Sequence, residues 1–427
     1  MIPTDLSGNP RRFVAFSVFY NARAYYPVLA ILFLDLGLTL DQYVLLNLIW
    51  AATIFLFEVP SGALADVIGR KKLLVMAAGL MVLEMLCLLF APRGGGLLLL
   101  GVCILNRVCS GLSEACASGA DEALAYDSLP EVNRADAWDR LFARTMRWRS
   151  GGMVIAMILG GLIYQPGPLN RLLPVGYQIS LDTAHRLPVA FVLCQSFVCL
   201  FTALRMVEPP RPTAEDSGVV SALRRATKLT LETALWVFRN PKTWGVIVVG
   251  LSIDSFVRNI ATLTSSYYRL IELPEWSYGF IGASISLLGW FVPSLARRLN
   301  ARYSTLMSLE ITAVAALVGL AALVPAWRGL GLLPVMFLMP ILGFLGFTVS
   351  RALHRETDSS KRATVLSVKG LVFNLGYGIF SLGFARLFAS FPDQPPGFAL
   401  RHALLWQVPG FAVLMLLLLT WARKISR

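Results

Sequence analysis

The stretch Gly62-Ala-Leu-Ala-Asp66-Val-Ile-Gly69-Arg70-Lys-Lys72 forms a short charged connection between two long apolar segments. Its two glycines permit a tight turn and a close approach of neighbouring helices. The Asp66 carboxylate can interact with the positive N-terminal end of a nearby helix, and Arg70 can pair with a nearby acid. We interpret the stretch as a turn at one face of a membrane.

The composition of the whole chain indicates an integral membrane protein. Of its 427 residues, 56% are apolar and 15% are charged, and the mean hydropathy is +0.65, whereas about 25% of the residues in a soluble domain are charged. The six cysteines lie in apolar stretches of the first half, where they are typical of small buried residues and not of a disulfide framework. The net charge of +13 is expected from Lys and Arg retained in the cytoplasm, so no nucleic-acid partner is predicted.

Twelve apolar stretches have about the 20 residues needed to cross a bilayer, and they lie at 12–35, 42–65, 72–92, 96–120, 148–166, 187–206, 243–268, 277–297, 304–326, 331–350, 364–388 and 403–422. Lys and Arg concentrate in the loops on the side of the N-terminus, which predicts that both termini are cytoplasmic. The excess of Arg over Lys and the absence of an Asn-x-Ser/Thr sequence favour a bacterial source, and therefore the bacterial inner membrane.

A polar, Pro-rich linker divides the twelve stretches into two sets of six. It predicts an N-terminal bundle at 1–207, a cytoplasmic linker at 208–241 and a C-terminal bundle at 242–427. Within the linker, residues 219–238 alternate apolar and basic side chains at roughly helical period. This pattern predicts a helix lying on the cytoplasmic leaflet.

Short sequences of the first half recur in the second half. Val-Pro-Ser at 59–61 recurs at 292–294, and Asp-Ser at 127–128 recurs at 358–359, with nearly the same offset. Each match lies at the corresponding end of a predicted span. The repeat predicts an all-α membrane fold of two pseudo-symmetric six-helix bundles.

The stretch at 62–72 resembles the signature between spans two and three of the major facilitator superfamily, G-x-L-a-D-r-x-G-r-k-x, with Val67 where Arg is usual. With twelve spans divided six and six, the resemblance covers the whole chain. It implies transport driven by a gradient, in which the two bundles rock about a central site. It also implies a lock on the cytoplasmic side, for which the gating residues are Gly62, Asp66, Gly69, Arg70, Asp121, Asp127 and Arg362.

Span five departs from the antiporter signature of the superfamily, g-x-x-x-G-P-x-x-G-G. Ala156-Met157 stands where Gly-Pro is expected, between Gly151-Gly152 and Gly160-Gly161. Small residues at this spacing still predict close helix packing. Export is the favoured direction, on a general resemblance to bacterial efflux members.

Three charged residues lie near mid-depth in spans one, four and seven, namely Arg23, Arg107 and Asp254. An ionisable group at the bilayer centre costs about 2.5–3.5 kcal/mol, so residues of this kind are candidates for function. The resemblance implies that these spans line the central cavity. Arg258 lies one turn beyond Asp254 and can pair with it, which would give a structural ion pair.

Other polar residues within the spans complete the predicted substrate and ion pathway. They are Asn21, Tyr26, Glu58, Glu114 and Asn374. For Glu84 and Glu310, which lie on helices that the fold makes peripheral, a satisfied polar contact is the favoured interpretation. The excess of arginines over acids at mid-depth favours an amphipathic anion or zwitterion as the small-molecule substrate.

Enzymatic chemistry is not predicted. The three histidines are far apart in sequence, and no H-E-x-x-H, Walker or G-x-S-x-G motif occurs. We therefore expect no metal and no cofactor, and a monomer surrounded by membrane lipids with a proton as the coupling ion. Two alternatives stay open, which are efflux of lipophilic cations and a sensor that keeps the fold without transporting.

Overall fold

The computed structural model describes residues 6–171, 173–209, 219–289, 291–356, 362–391, 394 and 396–426, and all regular structure within them is helical. In chain order the α-helices of this part of the chain are α1 Asn9–Asn21, α2 Leu29–Leu36, α3 Leu40–Ile68, α4 Arg70–Leu89, α5 Gly96–Ala117, α6 Ala120–Asp127, α7 Arg134–Tyr164, α8 Pro166–Asn170, α9 Leu181–Arg205, α10 Val219–Arg239, α11 Pro241–Thr262, α12 Thr264–Leu270, α13 Tyr278–Leu288, α14 Val292–Arg302, α15 Thr305–Leu323, α16 Leu332–Glu356, α17 Arg362–Ala389 and α18 Pro396–Ser426. The predicted all-α membrane fold is confirmed.

Ten helical segments of the described chain are long and apolar enough to cross a membrane. Each corresponds to one of the twelve predicted stretches. The other two predicted stretches are not among these ten segments, for separate reasons. The first is divided between α1 and α2, and the fifth is the apolar second half of α7, whose first half is rich in arginine.

The first predicted span, 12–35, is not one continuous helix, contrary to the sequence expectation. Helix α1 ends at Asn21, and α2 begins only at Leu29 after a short 3-10 turn that contains Pro27. Proline has no amide hydrogen and cannot donate to the preceding helical turn. The break contains Arg23, whose side chain needs a polar partner inside the bundle.

The described helices pack into two compact units, each built from both halves of the sequence. The α4 unit comprises Met1–Val28, Ala52–Lys228 and Glu275–Ala283. The α11 unit comprises Leu29–Ala51, Leu229–Pro274 and Ser284–Arg427. The division at the linker into two six-helix bundles stays a prediction.

In the α4 unit, two consecutive glycines of α7 make very close backbone contacts. A Cβ atom on Gly160 would overlap the carbonyl oxygen of Ala24. A Cβ atom on Gly161 would lie 2.6 Å from the amide nitrogen of Gly279. The close packing predicted for the small residues of span five is therefore confirmed at Gly160 and Gly161, but it is not found at Gly151, where a Cβ atom would meet no described atom within 4 Å.

In the α11 unit, α11 packs against α15, α16, α17 and α18. Polar contacts attach α2 and the first part of α3 to the same unit. The Tyr43 hydroxyl donates to the carbonyl oxygen of Thr262 at 2.8 Å, and both Nη atoms of Arg269 lie 2.8 Å from the carboxylate oxygens of Asp35. Segments distant in sequence are thus joined by directional contacts as well as by packing.

Helix α10 confirms the helix that was predicted within the linker. Its apolar side chains Val220, Leu231, Leu235 and Phe238 are exposed. A helix that combines exposed apolar side chains with basic ones is typical of a membrane surface.

Candidate functional site

A buried ion pair joins the break in the first span to α4. Arg23 Nη1 lies 2.7 Å from Glu84 Oε2, and the two side chains are only 3% and 1% exposed. The Tyr25 hydroxyl donates to Glu84 Oε1 at 3.0 Å and accepts a hydrogen bond from Arg23 Nη1 at 2.9 Å. Both carboxylate oxygens therefore have a partner inside the α4 unit.

Helix α5 supports this pair from a second side. Asn106 Nδ2 donates to the backbone carbonyl of Glu84 at 2.8 Å. Arg107 is buried and lies close enough to Tyr25 to interact with it electrostatically. The structure thus brings Arg23 and Arg107 into one region, around an acid that the sequence had not connected with them. The satisfied polar contact expected for Glu84 is confirmed.

The other predicted pathway residues of the α4 unit differ in exposure. Tyr26 is 42% exposed and Glu114 is also exposed. Asn21 Nδ2 donates to the carbonyl of Ser17 at 2.8 Å, one turn earlier in α1. Glu58 is half-buried, and its Oε2 atom has no hydrogen-bond partner among the described residues.

A second polar cluster lies in the α11 unit. Arg258 Nη2 lies 2.7 Å from Asp254 Oδ2, which confirms the predicted pair at one-turn spacing. Arg258 Nη1 also donates to Asn374 Oδ1 at 3.2 Å, and the guanidinium lies 5.3 Å from the ring centroid of Tyr377. The Arg258 side chain is 26% exposed, whereas the Asp254 side chain is 9% exposed.

Lys369 on α17 belongs to the same cluster, although it was not among the predicted site residues. Its Nζ atom lies 4.9 Å from the ring centroid of Phe373, and its ammonium interacts electrostatically with Asp254 and Arg258. The sequence did hold a sign of its role, because Lys369 is a charged residue inside the eleventh predicted span. The cluster therefore holds two cations and one carboxylate, and we call these residues together with Asn374 the Arg258 cluster.

A third group of charged residues stabilises the turn between α3 and α4. The Arg70 guanidinium forms an ion pair with Asp127 at the end of α6 and donates to the carbonyl of Ala123 at 2.9 Å. The expectation that Arg70 pairs with a nearby acid is confirmed. Gly69 has φ of 108°, a conformation that glycine adopts without strain, so the tight turn depends on it.

Glu208 caps the start of α4, a role that the sequence did not suggest for it. Its Oε1 accepts from the amide of Arg70 at 3.0 Å, and its Oε2 accepts from the amide of Lys71 at 2.7 Å. A carboxylate at a helix N-terminus satisfies free amides and the positive end of the helix dipole. The side chains of Asp66 and Arg362, which the sequence assigns to gating, lie outside the described part of the structure.

The remaining predicted gating residues show only local contacts. A Cβ atom on Gly62 would meet no described atom within 4 Å, so the expected close helix approach is not found there. Asp121 Oδ1 accepts from the amide of Glu122 at 2.7 Å, at the start of α6. Among the described residues, no group of three or more His, Cys, Asp or Glu side chains could hold a metal ion.

Solved structures of transporters share this fold. The nucleoside transporter NupG matches with a TM-score of 0.72 at 11% identity, over 100% of this chain and 100% of its own. A bacterial homolog of the human lysosomal transporter Spinster, inward-facing and unoccupied, matches with 0.72 at 16% identity, over 99% and 98%. A POT family transporter in complex with 5-aminolevulinic acid matches with 0.67 at 13% identity, over 97% and 96%. At these identities the similarity concerns the fold alone.

The family of this chain can be assigned from its sequence, through a match to a family model. No curated protein matches the chain in sequence. The model of the Major Facilitator Superfamily matches residues 13–381, which include the turn at 62–72 and most of the chain. Membership of this family implies a small-molecule solute and a membrane environment. The chain belongs to the Major Facilitator Superfamily of membrane transporters.

Proposed function

We propose that the chain is a secondary transporter of a small organic anion or zwitterion, and that the Arg258 cluster contacts the solute. The net charge of this cluster carries the proposal. Two cations and one carboxylate leave one positive charge, and the Arg258 guanidinium is partly exposed. An anionic group on the solute complements this arrangement, since Arg binds carboxylate and phosphate groups with directional hydrogen bonds.

The surroundings of the cluster support an amphipathic solute. Arg258 lies over the ring of Tyr377, and Lys369 lies over the ring of Phe373. Aromatic rings of this kind offer apolar faces beside the charged groups. The Arg23–Glu84 pair is by contrast enclosed and balanced in charge. We therefore assign it a structural role in the α4 unit, next to Arg107.

The Arg258→Gln variant should lower kcat/KM for the solute by about 10- to 100-fold, because a hydrogen bond to a charged group contributes about 1.5–3 kcal/mol. A thermal-shift screen of anions, zwitterions and lipophilic cations identifies a ligand, and counterflow in proteoliposomes then measures its transport. The Arg258→Gln/Asp254→Asn variant is the matched control, because it leaves no unpaired Asp254 carboxylate. Stabilisation by lipophilic cations alone, lost in Asp254→Asn, would contradict an anionic substrate.

We propose further that transport is coupled to protons and directed outward, with Glu58 as the favoured proton carrier. The half-buried Glu58 carboxylate has an oxygen without a hydrogen-bond partner among the described residues. A carboxylate in such a position can take up and release a proton. Glu84, Glu114 and Asp254 are the other candidates for this role. Of these, Glu84 is already paired with Arg23.

Inside-out vesicles should accumulate the solute when a proton gradient is applied, and a proton ionophore should abolish the accumulation. Glu58→Gln should lose this dependence on the gradient while it keeps counterflow, which needs no net proton movement. Glu122→Gln, at an exposed acid of α6, is the matched control. Uptake that an ionophore leaves unchanged in both vesicle orientations would contradict proton coupling.

Efflux of lipophilic cations is the second candidate function. It is favoured by the carboxylates of Glu58 and Glu114 and by the exposed ring of Tyr26, all in the α4 unit. Carboxylates and aromatic rings are the groups that bind organic cations. The same screen separates the two functions, since each predicts stabilisation by a different class of solute.

The cellular setting that we propose is the bacterial inner membrane, with both termini in the cytoplasm and the chain acting as a monomer. The concentration of Lys and Arg on one side of the spans supports this orientation. The turn around Arg70 and Asp127 would then lie at the cytoplasmic face. Its proposed role as a state-dependent lock rests on the resemblance of residues 62–72 to the family signature.

A further inference from the structure

A cavity of about 460 Å³ lies in the α11 unit, apart from the three clusters described above. It is bounded by the first turns of α11 and α15 and by the last turns of α16 and α18. All four helix ends lie at the same end of their spans as the basic helix α14. The cavity is therefore at the membrane boundary and not at mid-depth.

The polar part of the cavity is positively charged. Lys242 of α11 and Arg355 of α16 both line it and are exposed, so their charges are accessible to a ligand. None of the described lining residues is acidic. Glu310, near this end of α15, forms an ion pair with Arg423 at 2.7 Å and does not neutralise the two cations. The positive ends of the α11 and α15 dipoles are offset by the negative ends of α16 and α18, so the positive charge of the cavity comes from the two side chains.

The remaining wall of the cavity is apolar. Val246 on α11, Leu306 on α15 and Ile425 on α18 line it and are partly exposed. The ring of Trp421 lies 3.7 Å from the position of a Cβ atom on Gly245, another lining residue. Tryptophan is enriched where the headgroups of a bilayer meet its hydrocarbon. The cavity thus combines a cationic part with an apolar part, in the way a phospholipid combines a headgroup with its chains.

We propose that this cavity binds a membrane phospholipid with an anionic headgroup. The phosphate group would contact Lys242 and Arg355. The glycerol and upper acyl chain would cover Val246, Leu306 and Ile425. A soluble phosphate ester would satisfy the two cations but would leave the apolar wall uncovered. With both termini in the cytoplasm, as proposed above, this lipid would lie in the cytoplasmic leaflet. The binding of the lipid does not depend on that orientation.

Continuity with the linker supports a lipid as the occupant. Helix α10 ends at Arg239, and Pro241 at the start of α11 already lines the cavity. The exposed apolar side chains of α10 are typical of a helix lying on the bilayer surface. A lipid headgroup in the cavity would therefore lie beside the point where the linker meets the first helix of the second half.

Native mass spectrometry of the detergent-purified full chain, titrated with phosphatidylglycerol or phosphatidylcholine, tests the proposal. The wild type should bind phosphatidylglycerol more tightly than phosphatidylcholine. Lys242→Gln/Arg355→Gln should weaken phosphatidylglycerol binding by about 30-fold, the effect of two basic side chains at an anionic lipid. Each single variant should weaken it by about fivefold, so the test remains usable if the double variant folds poorly.

Arg297→Gln/Lys424→Gln is the matched control, because it removes the same charge at the same end of the spans from residues outside the cavity lining. It should leave phosphatidylglycerol binding unchanged. Equal binding of the two lipids by the wild type would overturn the proposal, as would unchanged phosphatidylglycerol binding in the cavity variants. Binding of sn-glycerol 3-phosphate as tightly as phosphatidylglycerol would also overturn it, because the apolar wall would then contribute nothing.

Discussion

Replacing Arg23 by Met should lower the free energy of unfolding by about 3–5 kcal/mol, because the Glu84 carboxylate would stay buried without its cation. The two side chains are 3% and 1% exposed, so solvent cannot take the place of the missing partner. Glu84→Met should cost a similar amount, since it leaves the Arg23 guanidinium unpaired. Thermal unfolding of the purified variants in detergent measures both effects.

The double variant Arg23→Met/Glu84→Met should recover most of the lost stability, because replacing both partners of a buried pair by apolar residues is often neutral. Arg269→Met is a control for loss of an accessible ion pair, because Arg269 is 40% exposed, and it should cost about 1 kcal/mol or less. A double variant no more stable than the single ones would contradict the ion-pair account. A stable double variant that no longer transports would restore the pathway role predicted for Arg23.

The sequence predicted those charge contacts that depend on helix geometry alone. Asp254 and Arg258 are four residues apart, so any helix through them places their side chains on one face. For Arg70 the sequence predicted only that an acid lies nearby, and it did not identify Asp127, which is 57 residues away in α6. Predicting the turn at 62–72 and the pair of Asp254 and Arg258 therefore required no knowledge of how the helices are rotated.

The pair between Arg23 and Glu84 could not be predicted in the same way. Counted at 1.5 Å per residue from the same face, the two lie about 16 Å and 18 Å into their spans, so a comparison of depths could have suggested it. The break between α1 and α2 and the rotation of α4 were not predictable from hydropathy. Both are needed to bring the guanidinium and the carboxylate to 2.7 Å.

Glu208 illustrates a second limit of the sequence. It opens the Pro-rich linker and was read only as part of a polar boundary. Its role as the cap of α4 depends on a contact with Arg70, which is 138 residues away. Capping by a residue outside the helix leaves no pattern at the helix start, where Gly69 has no side chain to offer.

The Gly160→Ala variant should lower the free energy of unfolding by about 3 kcal/mol or more, at the upper end of the cost of overpacking. The added Cβ atom would overlap the carbonyl oxygen of Ala24, and a backbone atom cannot rotate away as a side chain can. Gly151→Ala on the same helix is the matched control, because a Cβ atom there meets no described atom within 4 Å. That control should be neutral or stabilising, since Ala favours a helix over Gly by about 0.8–1.0 kcal/mol. Equal thermal stability of the two variants would contradict the close contact.

Substitution at the neighbouring contact between Gly161 and Gly279 should have a different effect from substitution at the contact between Gly160 and Ala24. Gly160 and Ala24 both precede the linker, whereas Gly161 and Gly279 lie on either side of it in sequence. If the two halves rock about a central site, as the family resemblance implies, contacts across the linker must form and break while contacts within one half persist. Gly279→Ala, whose Cβ atom would overlap the carbonyl oxygen of Met157, should therefore slow counterflow and lower the unfolding temperature less than Gly160→Ala does. Equal loss of unfolding temperature in both variants would mean that both contacts persist in every state, which a rocking mechanism does not allow.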